Sequence, residues 1–329
     1  MTQDPALPGG FGPGPAMLPW PGLAPFSRRL ASARGGETFF FDSNAEGGAI
    51  SGSGSEHRTF VLIHGLGDEA DSWRHLLPLL AKEARVLAPD LPGFGRSVPR
   101  GRVTLARCAE ALLELLEAEV IGRAVLVGSS LGAVVAQLAA ARQGSRRASG
   151  HTKGRIAALA LVDGGLPGLE AAPGAWRSIL PILGERGYAY LSTRPELAYS
   201  TLAPYYAELE SLSDEDRGFL RERVAARVRS GTQKRAYFSL FRSLALWAGL
   251  RSAFFARSLA AFPGPVLVAW GSKDRIALPG SADALIRIAP RAAKVLIEGS
   301  GHLPQQERPQ ALAEALLAWS ALPREHGSA

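Results

Sequence analysis

Seven short apolar runs punctuate the chain: TFFFDS at 38–43, TFVLIHG at 59–65, ARVLAPD at 84–90, AVLVGSS at 124–130, IAALALVDG at 156–164, PVLVAWGS at 265–272 and AKVLIEGS at 293–300. They are nearly continuous in Val, Leu, Ala and Ile instead of alternating with polar residues. That pattern predicts strands covered on both faces in a parallel sheet. Between them, apolar residues recur at helical spacing, as in LARCAEALLELLEAEV at 105–120, LGAVVAQLAAARQ at 131–143 and PQALAEALLAWSAL at 309–322. The order is β-α repeated, which predicts an α/β fold with a doubly wound, mostly parallel sheet.

The rhythm breaks between residues 165 and 263, where DEDRGFLRERVAARVRS and QKRAYFSLFRSLALWAGL read as helices and no strand pattern occurs. An interruption of that length inside a sheet predicts an inserted helical cap. Aromatic residues are frequent in it, from Trp176 to Trp247. Most are expected to form the core of the cap, and a few to line a pocket beneath it. The first 36 residues carry seven Pro and seven Gly, a composition that resists regular structure. The expected organisation is a leader at 1–36, a core at 37–164 and 264–329, and the cap at 165–263.

Charge and composition narrow the partners. Of the net +7 (37 basic against 30 acidic residues), five charges fall in RQGSRRASGHTKGR at 142–155, as Arg142, Arg146, Arg147, Lys153 and Arg155. A short Gly/Ser-bearing basic loop with few aromatics reads as a solvated insertion and does not predict a nucleic-acid partner. The single cysteine, Cys108, cannot form an intramolecular disulfide or a cysteine-based zinc site, and reads as a buried thiol. The N-terminus has no basic-then-apolar signal pattern, and the apolar runs fall short of the ~20 residues of a membrane span. A soluble, cytoplasmic protein is expected. The sequence does not specify its oligomeric state.

The residues that carry chemistry sit at the ends of the predicted strands. GSSLG at 128–132 fits G-x-S-x-G in one register only, with Ser130 central, because Val127 and Leu131 stand where Ser129 would need glycine. A nucleophile on a sharp strand-to-helix turn sits in strained backbone, and the residues two places away must lack bulk. A serine hydroxyl needs a base, itself oriented by an acid. Among the six histidines, His302 in GSGHLPQQERP follows the last predicted strand, on the edge where such sheets keep their active sites. Asp274 in WGSKD follows the preceding strand and is the expected acid; Asp163, which also ends a strand on that edge, is the rival, with a turn-shaping role as its alternative. An oxyanion formed at Ser130 needs two backbone N–H donors, expected from Leu131 and from Leu66 in HGLGD at 64–68. That leaves His64 a structural role within its loop.

HGLGD, DLPGFGRS, GSSLG, WGSKD and GSGHLPQQERP, in this order, resemble the α/β-hydrolase superfamily, in its cap-bearing branch. The match covers roughly residues 37–164 and 264–325. Carried over position by position, the resemblance implies Ser130 as nucleophile, Asp274 as orienting acid, His302 as base, and the Leu66 and Leu131 N–H groups as oxyanion hole. A serine at 130 departs from the aspartate that epoxide hydrolases and haloalkane dehalogenases of this branch use. HGLGDEADSW lacks the longer Gly- and Pro-bearing loop of the ring-cleavage hydrolases. The expected function is therefore a serine hydrolase, a carboxylesterase that cleaves a small-molecule carboxylic ester through an acyl-enzyme, needing no metal or organic cofactor. A carbon–carbon, lactone or amide hydrolase, or a cofactor-free perhydrolase, would share the same residues. A non-catalytic small-molecule binding protein on the same fold is the alternative from another class.

Overall fold

The computed structural model of the chain describes residues 17–32, 36–45, 58–148, 156–168 and 183–321. His57, His151, His326, Trp176, the first 16 residues and the basic segment 149–155 lie outside the described residues.

Eight strands form one sheet: β1 (Ser27–Ala31), β2 (Glu37–Asp42), β3 (Thr59–Ile63), β4 (Arg85–Pro89), β5 (Ala124–Ser129), β6 (Ile156–Val162), β7 (Val266–Gly271) and β8 (Ala293–Ile297). Their spatial order is β1-β2-β4-β3-β5-β6-β7-β8. The pairs β1/β2 and β2/β4 are antiparallel, and every pairing from β4 to β8 is parallel. Continuous apolar runs were the signature of this arrangement. Along β3, Phe60 and Leu62 join the core on one face while Val61 and Ile63 join the core on the other, so successive side chains are all buried.

The strands alternate with helices α1 (Leu77–Leu80), α2 (Leu105–Ala118) and α3 (Leu131–Ala148) in the first half. After β6 the chain enters α4 (Leu183–Ser192), α5 (Pro195–Ser200), α6 (Asp214–Arg229), α7 (Gly231–Leu250) and α8 (Ser252–Ala260), and then returns to β7. This is the inserted helical cap, and among the described residues it contains no strand. α9 (Gly280–Ile288), α10 (Pro304–Glu307) and α11 (Pro309–Ala321) complete the chain. Local chemistry explains the helix starts. Ser213 caps α6 by accepting from the Asp216 N–H at 3.1 Å, with Asp214, Glu215 and Asp216 in the first turn and Arg227 and Arg229 in the last. Among the described residues no helix is long and apolar enough to cross a membrane.

Two expectations are corrected. Residues read as leader contribute structure: a 3-10 turn at Pro21–Phe26 buries Leu23, and β1 extends the sheet beyond β2. In SRRLA only Leu30 escapes full exposure, so the strand carries no apolar run to read. It is held by backbone pairing and by arginine stacking, Arg28 5.3 Å from the Phe40 ring and Arg29 5.5 Å from the Phe39 ring. Arg142, Arg146 and Arg147, read as part of a basic loop, lie on α3, where Arg142 pairs with Glu110 at 2.6 Å.

Candidate active site

Ser130 stands between β5 and α3 with φ 54°, in the left-handed region that non-glycine residues rarely enter. Its N–H donates to the Val162 carbonyl at 2.8 Å, which pins the turn to the neighbouring strand. The flanking glycines are required by close approach. A Cβ on Gly128 would run into the Gly132 backbone, one on Gly132 into the Ile63 carbonyl, and one on Gly164 into the backbone of Ser130 itself. The strained turn is thus enclosed by three segments that tolerate no side chain. Ser129, its neighbour, is fully buried, and its hydroxyl accepts from Gln305 Nε2 at 3.4 Å.

His302 follows β8 and is 2% exposed. Its Nδ1 lies 2.7 Å from Asp274 Oδ2, while Asp274 Oδ1 accepts from the Ile276 and Ala277 N–H groups at 2.7 and 3.1 Å. A carboxylate facing Nδ1 fixes the proton there and leaves the lone pair on Nε2. Nε2 is buried and has no hydrogen-bond partner among the described residues, so the Ser130 hydroxyl is not bonded to it in this structure. Such contacts often close only when substrate is bound. The His302 N–H donates to the Tyr205 carbonyl at 2.8 Å, and the two rings meet edge to face at 5.8 Å, so the cap reaches the histidine directly. Glu307 reinforces the junction: one oxygen accepts from Gly301 N–H at 2.7 Å and the other from Ala207 N–H of the cap at 2.7 Å.

Leu131 opens α3 beside the serine. Leu66 lies in the loop after β3, where a Cβ on the preceding Gly65 would come within 3.3 Å of Ser130 Cβ. His64 organises that loop. Its Nε2 accepts from Leu91 N–H at 2.9 Å, and its Nδ1 donates to the Gly65 carbonyl at 2.8 Å. The Asp68 N–H donates to the same carbonyl at 3.3 Å. With the Gly65 carbonyl held from one side, the trans peptide directs the Leu66 N–H to the other. The cap covers this loop as well, since a Cβ on Gly67 would lie 3.2 Å from the Tyr237 ring.

Asp163, the rival acid, ends β6 with φ 47° and accepts from Gly271 N–H at 2.7 Å. It does not reach His302 in place of Asp274, yet it lies close to both: one oxygen of each carboxylate and one ring nitrogen fall within 4.8 Å of one another. Burial first, and then the negative charge of Asp274, push the Asp163 carboxyl well above the usual carboxylate range. Cys108 is buried away from this site and its thiol is pushed up to about 12 by burial, which makes it inert.

What sequence reasoning missed is a charged seam between the loop after β3 and the cap. Glu69 pairs with Arg223 at 3.1 Å and with Arg227 at 2.7 Å; Arg227 also reaches Asp68 at 2.8 Å, and Arg223 reaches Asp71 at 3.3 Å. Arg74 pairs with Asp216 at 2.6 Å, and Arg96 with Asp90 at 3.2 Å and with Asp71. Arg223 and Arg227 are one turn apart on α6 and face the same loop, but no spacing in the sequence marks their partners.

A model of the Alpha/beta hydrolase family matches residues 60–315. The chain belongs to the alpha/beta hydrolase family. It is 28% identical over 281 residues to the dihydrolipoyllysine-residue acetyltransferase component of the acetoin cleaving system of Pseudomonas putida; the match takes in 85% of this chain but only 65% of that protein. A shorter stretch of 94 residues, 27% of this chain and 34% of the relative, is 39% identical to the pimeloyl-[acyl-carrier protein] methyl ester esterase of Sodalis glossinidius. Among solved structures, a bacterial membrane phospholipase A superposes with a TM-score of 0.68 at 25% identity, covering 91% of this chain and 87% of that one.

Proposed function

We propose that this alpha/beta hydrolase is a serine carboxylesterase acting through an acyl-enzyme on a small, mostly apolar ester held beneath the cap. The observation that carries the reading is the Asp274–His302 pair at 2.7 Å, placed with a free, buried Nε2 on the sheet edge where Ser130 occupies a left-handed turn. In this reading His302 Nε2 takes the Ser130 proton as the hydroxyl attacks the ester carbonyl. The Leu66 and Leu131 N–H groups stabilise the tetrahedral oxyanion, and the imidazolium then gives its proton to the leaving alcohol. Water repeats the cycle on the acyl-enzyme and regenerates the serine. Asp274 holds the tautomer and stabilises the imidazolium. Tyr205 and Tyr237, lying against His302 and Gly67, are the cap aromatics placed to meet the substrate. Two of the relatives carry names for ester-cleaving enzymes, which supports this bond over others.

The test is turnover of p-nitrophenyl esters and of matched thioesters by the purified protein, with a fluorophosphonate probe as reporter of the nucleophile. Ester hydrolysis and labelling that vanish in Ser130→Ala, by ~10³-fold or more in kcat with unchanged thermal melting, are expected. A folded protein that neither turns over any ester nor takes label at Ser130 overturns the reading.

A further inference from the structure

Asp163 is a carboxyl for which the proposed mechanism has no task. It is 0% exposed, and Oδ1 accepts from the Gly271 N–H at 2.7 Å. Oδ2 is buried with no hydrogen-bond partner among the described residues when both aspartates are taken as acceptors. Its nearest ionisable neighbours are Asp274 and His302, clustered with it within 4.8 Å, and Glu307 on α10 adds a further negative charge. The adjoining strand β5 pairs with β6 only as far as Ser129 opposite Val162, and none of its residues from Ala124 to Ser129 is a cation that could compensate from that side. Two carboxylates in a dry site cannot both ionise cheaply, and the one with fewer donors keeps the proton. Asp274 has two backbone N–H donors and the His302 ring; Asp163 has one N–H.

We propose that Asp163 is held as a neutral carboxylic acid whose O–H donates to the Asp274 carboxylate, making it a positioning residue for the Asp274–His302 pair. Oδ1 then remains the acceptor for Gly271, and the orphaned Oδ2 becomes a donor, so both oxygens of each carboxyl have a partner. Asp274 is then held by a fourth donor, beside the Ile276 and Ala277 N–H groups and the His302 ring. The raised Asp163 carboxyl described above agrees with this. When rising pH removes the proton, the donor is lost and a second negative charge is left beside Asp274. Activity is then expected to fall on the alkaline side.

The kinetic consequence rests on the serine-hydrolase reading, whereas the proton itself does not. The substitution that separates the possibilities is Asp163→Asn: its carbonyl can accept from Gly271, its amide can donate to Asp274, and Asn tolerates a left-handed backbone. Infrared difference spectra of the wild-type protein against Asp163→Asn, in H₂O and in D₂O at neutral pH, are expected to show a protonated-carboxyl band that the variant lacks. With an ester substrate, Asp163→Asn is expected to keep kcat within ~3-fold at neutral pH and to lose the alkaline fall. Asp163→Ala, which removes the donor, is expected to lose ~10–100-fold in kcat with KM nearly unchanged. Absence of the band overturns the proposal. So does an Asp163→Asn protein that still melts like wild type but is as damaged as Asp163→Ala, because the charge and not the donor would then matter. If no ester is turned over, the serine-hydrolase reading fails on its own, and the infrared band still decides the protonation of Asp163.

Discussion

The sheet and the seam beneath the cap bury comparable depths of protein by opposite means. Around β3 and β5 the interior is Phe, Leu, Ile, Val and Ala on both faces, and its stability comes from apolar area removed from water. Between the loop after β3 and α6 the interior is Glu69, Asp71, Arg223 and Arg227, with Arg74, Arg96 and Asp90 alongside, all buried or nearly so. An apolar interior is tolerant of direction, whereas ion pairs fix register: a shift of α6 by one turn would exchange Arg223 for Arg227 and strand a charge. The difference places the rigid, direction-indifferent interior under the nucleophile turn, and the direction-specific one where the cap meets the loop that carries the Leu66 N–H.

The largest effect that would break this contrast is expected at the seam. Glu69→Ala leaves two buried guanidinium groups short of a partner and should cost about 3–5 kcal/mol in denaturant unfolding. Burial alone would raise the Glu69 carboxyl, but Arg227, Arg223 and Arg96 outweigh it and bring it to about 2. Because the folded value is depressed below the ordinary 4.5, the stabilisation is present above pH 4.5 and is lost as pH falls toward about 2. The gap between wild type and Glu69→Gln should therefore narrow across that window and stay constant above it. Leu62→Ala, at the centre of the sheet, is expected to cost about 2–5 kcal/mol, with a cavity penalty that does not change with pH over the same range. If both losses tracked pH equally, the two interiors would not differ as described. A smaller effect is expected at the start of α6, where Ser213→Ala removes the cap at a cost of about 1 kcal/mol. Smallest should be Ser129→Ala, which loses one long hydrogen bond from Gln305. Its kcat is expected to stay within a few-fold of wild type; equal damage from Ser129→Ala and Ser130→Ala would refute the assignment of Ser130 as nucleophile.

The same contrast explains what could be read in advance. Apolar burial leaves a pattern in one dimension, so β2 to β8 and the helices α2, α3, α6, α7 and α11 were legible from runs and spacing, and the ends of those strands pointed to Ser130, Asp274 and His302. Glycine crowding was legible too, since Gly128 and Gly132 are close in sequence as well as in space. Ion pairs leave no such trace: Glu69 and Arg227 are 158 residues apart and Arg74 and Asp216 142 apart, and each alone reads as an ordinary surface charge. β1 was hidden for a related reason, because stacked arginines stand where an apolar face would normally announce a strand. Glu307 lay in view within GSGHLPQQERP, but its bridge from Gly301 to Ala207 depends on where the cap folds back.

β1 has a consequence for handling the protein. β2 carries Phe39, Phe40 and Phe41 in a row, and β1 occupies the hydrogen-bonding side that those residues would otherwise present at the border of the sheet. Upstream of it, the Trp20 N–H donates to Asp71 at 2.6 Å and the Trp20 ring packs edge-on against Phe219 of α6 at 5.0 Å, so this short segment is stitched to the cap as well. A chain trimmed to begin at the first long apolar run would expose three consecutive phenylalanines on an open backbone ladder, a template for strand-to-strand aggregation. A five-residue strand with two arginines is thus expected to keep that ladder closed, and a chain lacking it is expected to aggregate where the full chain stays dispersed.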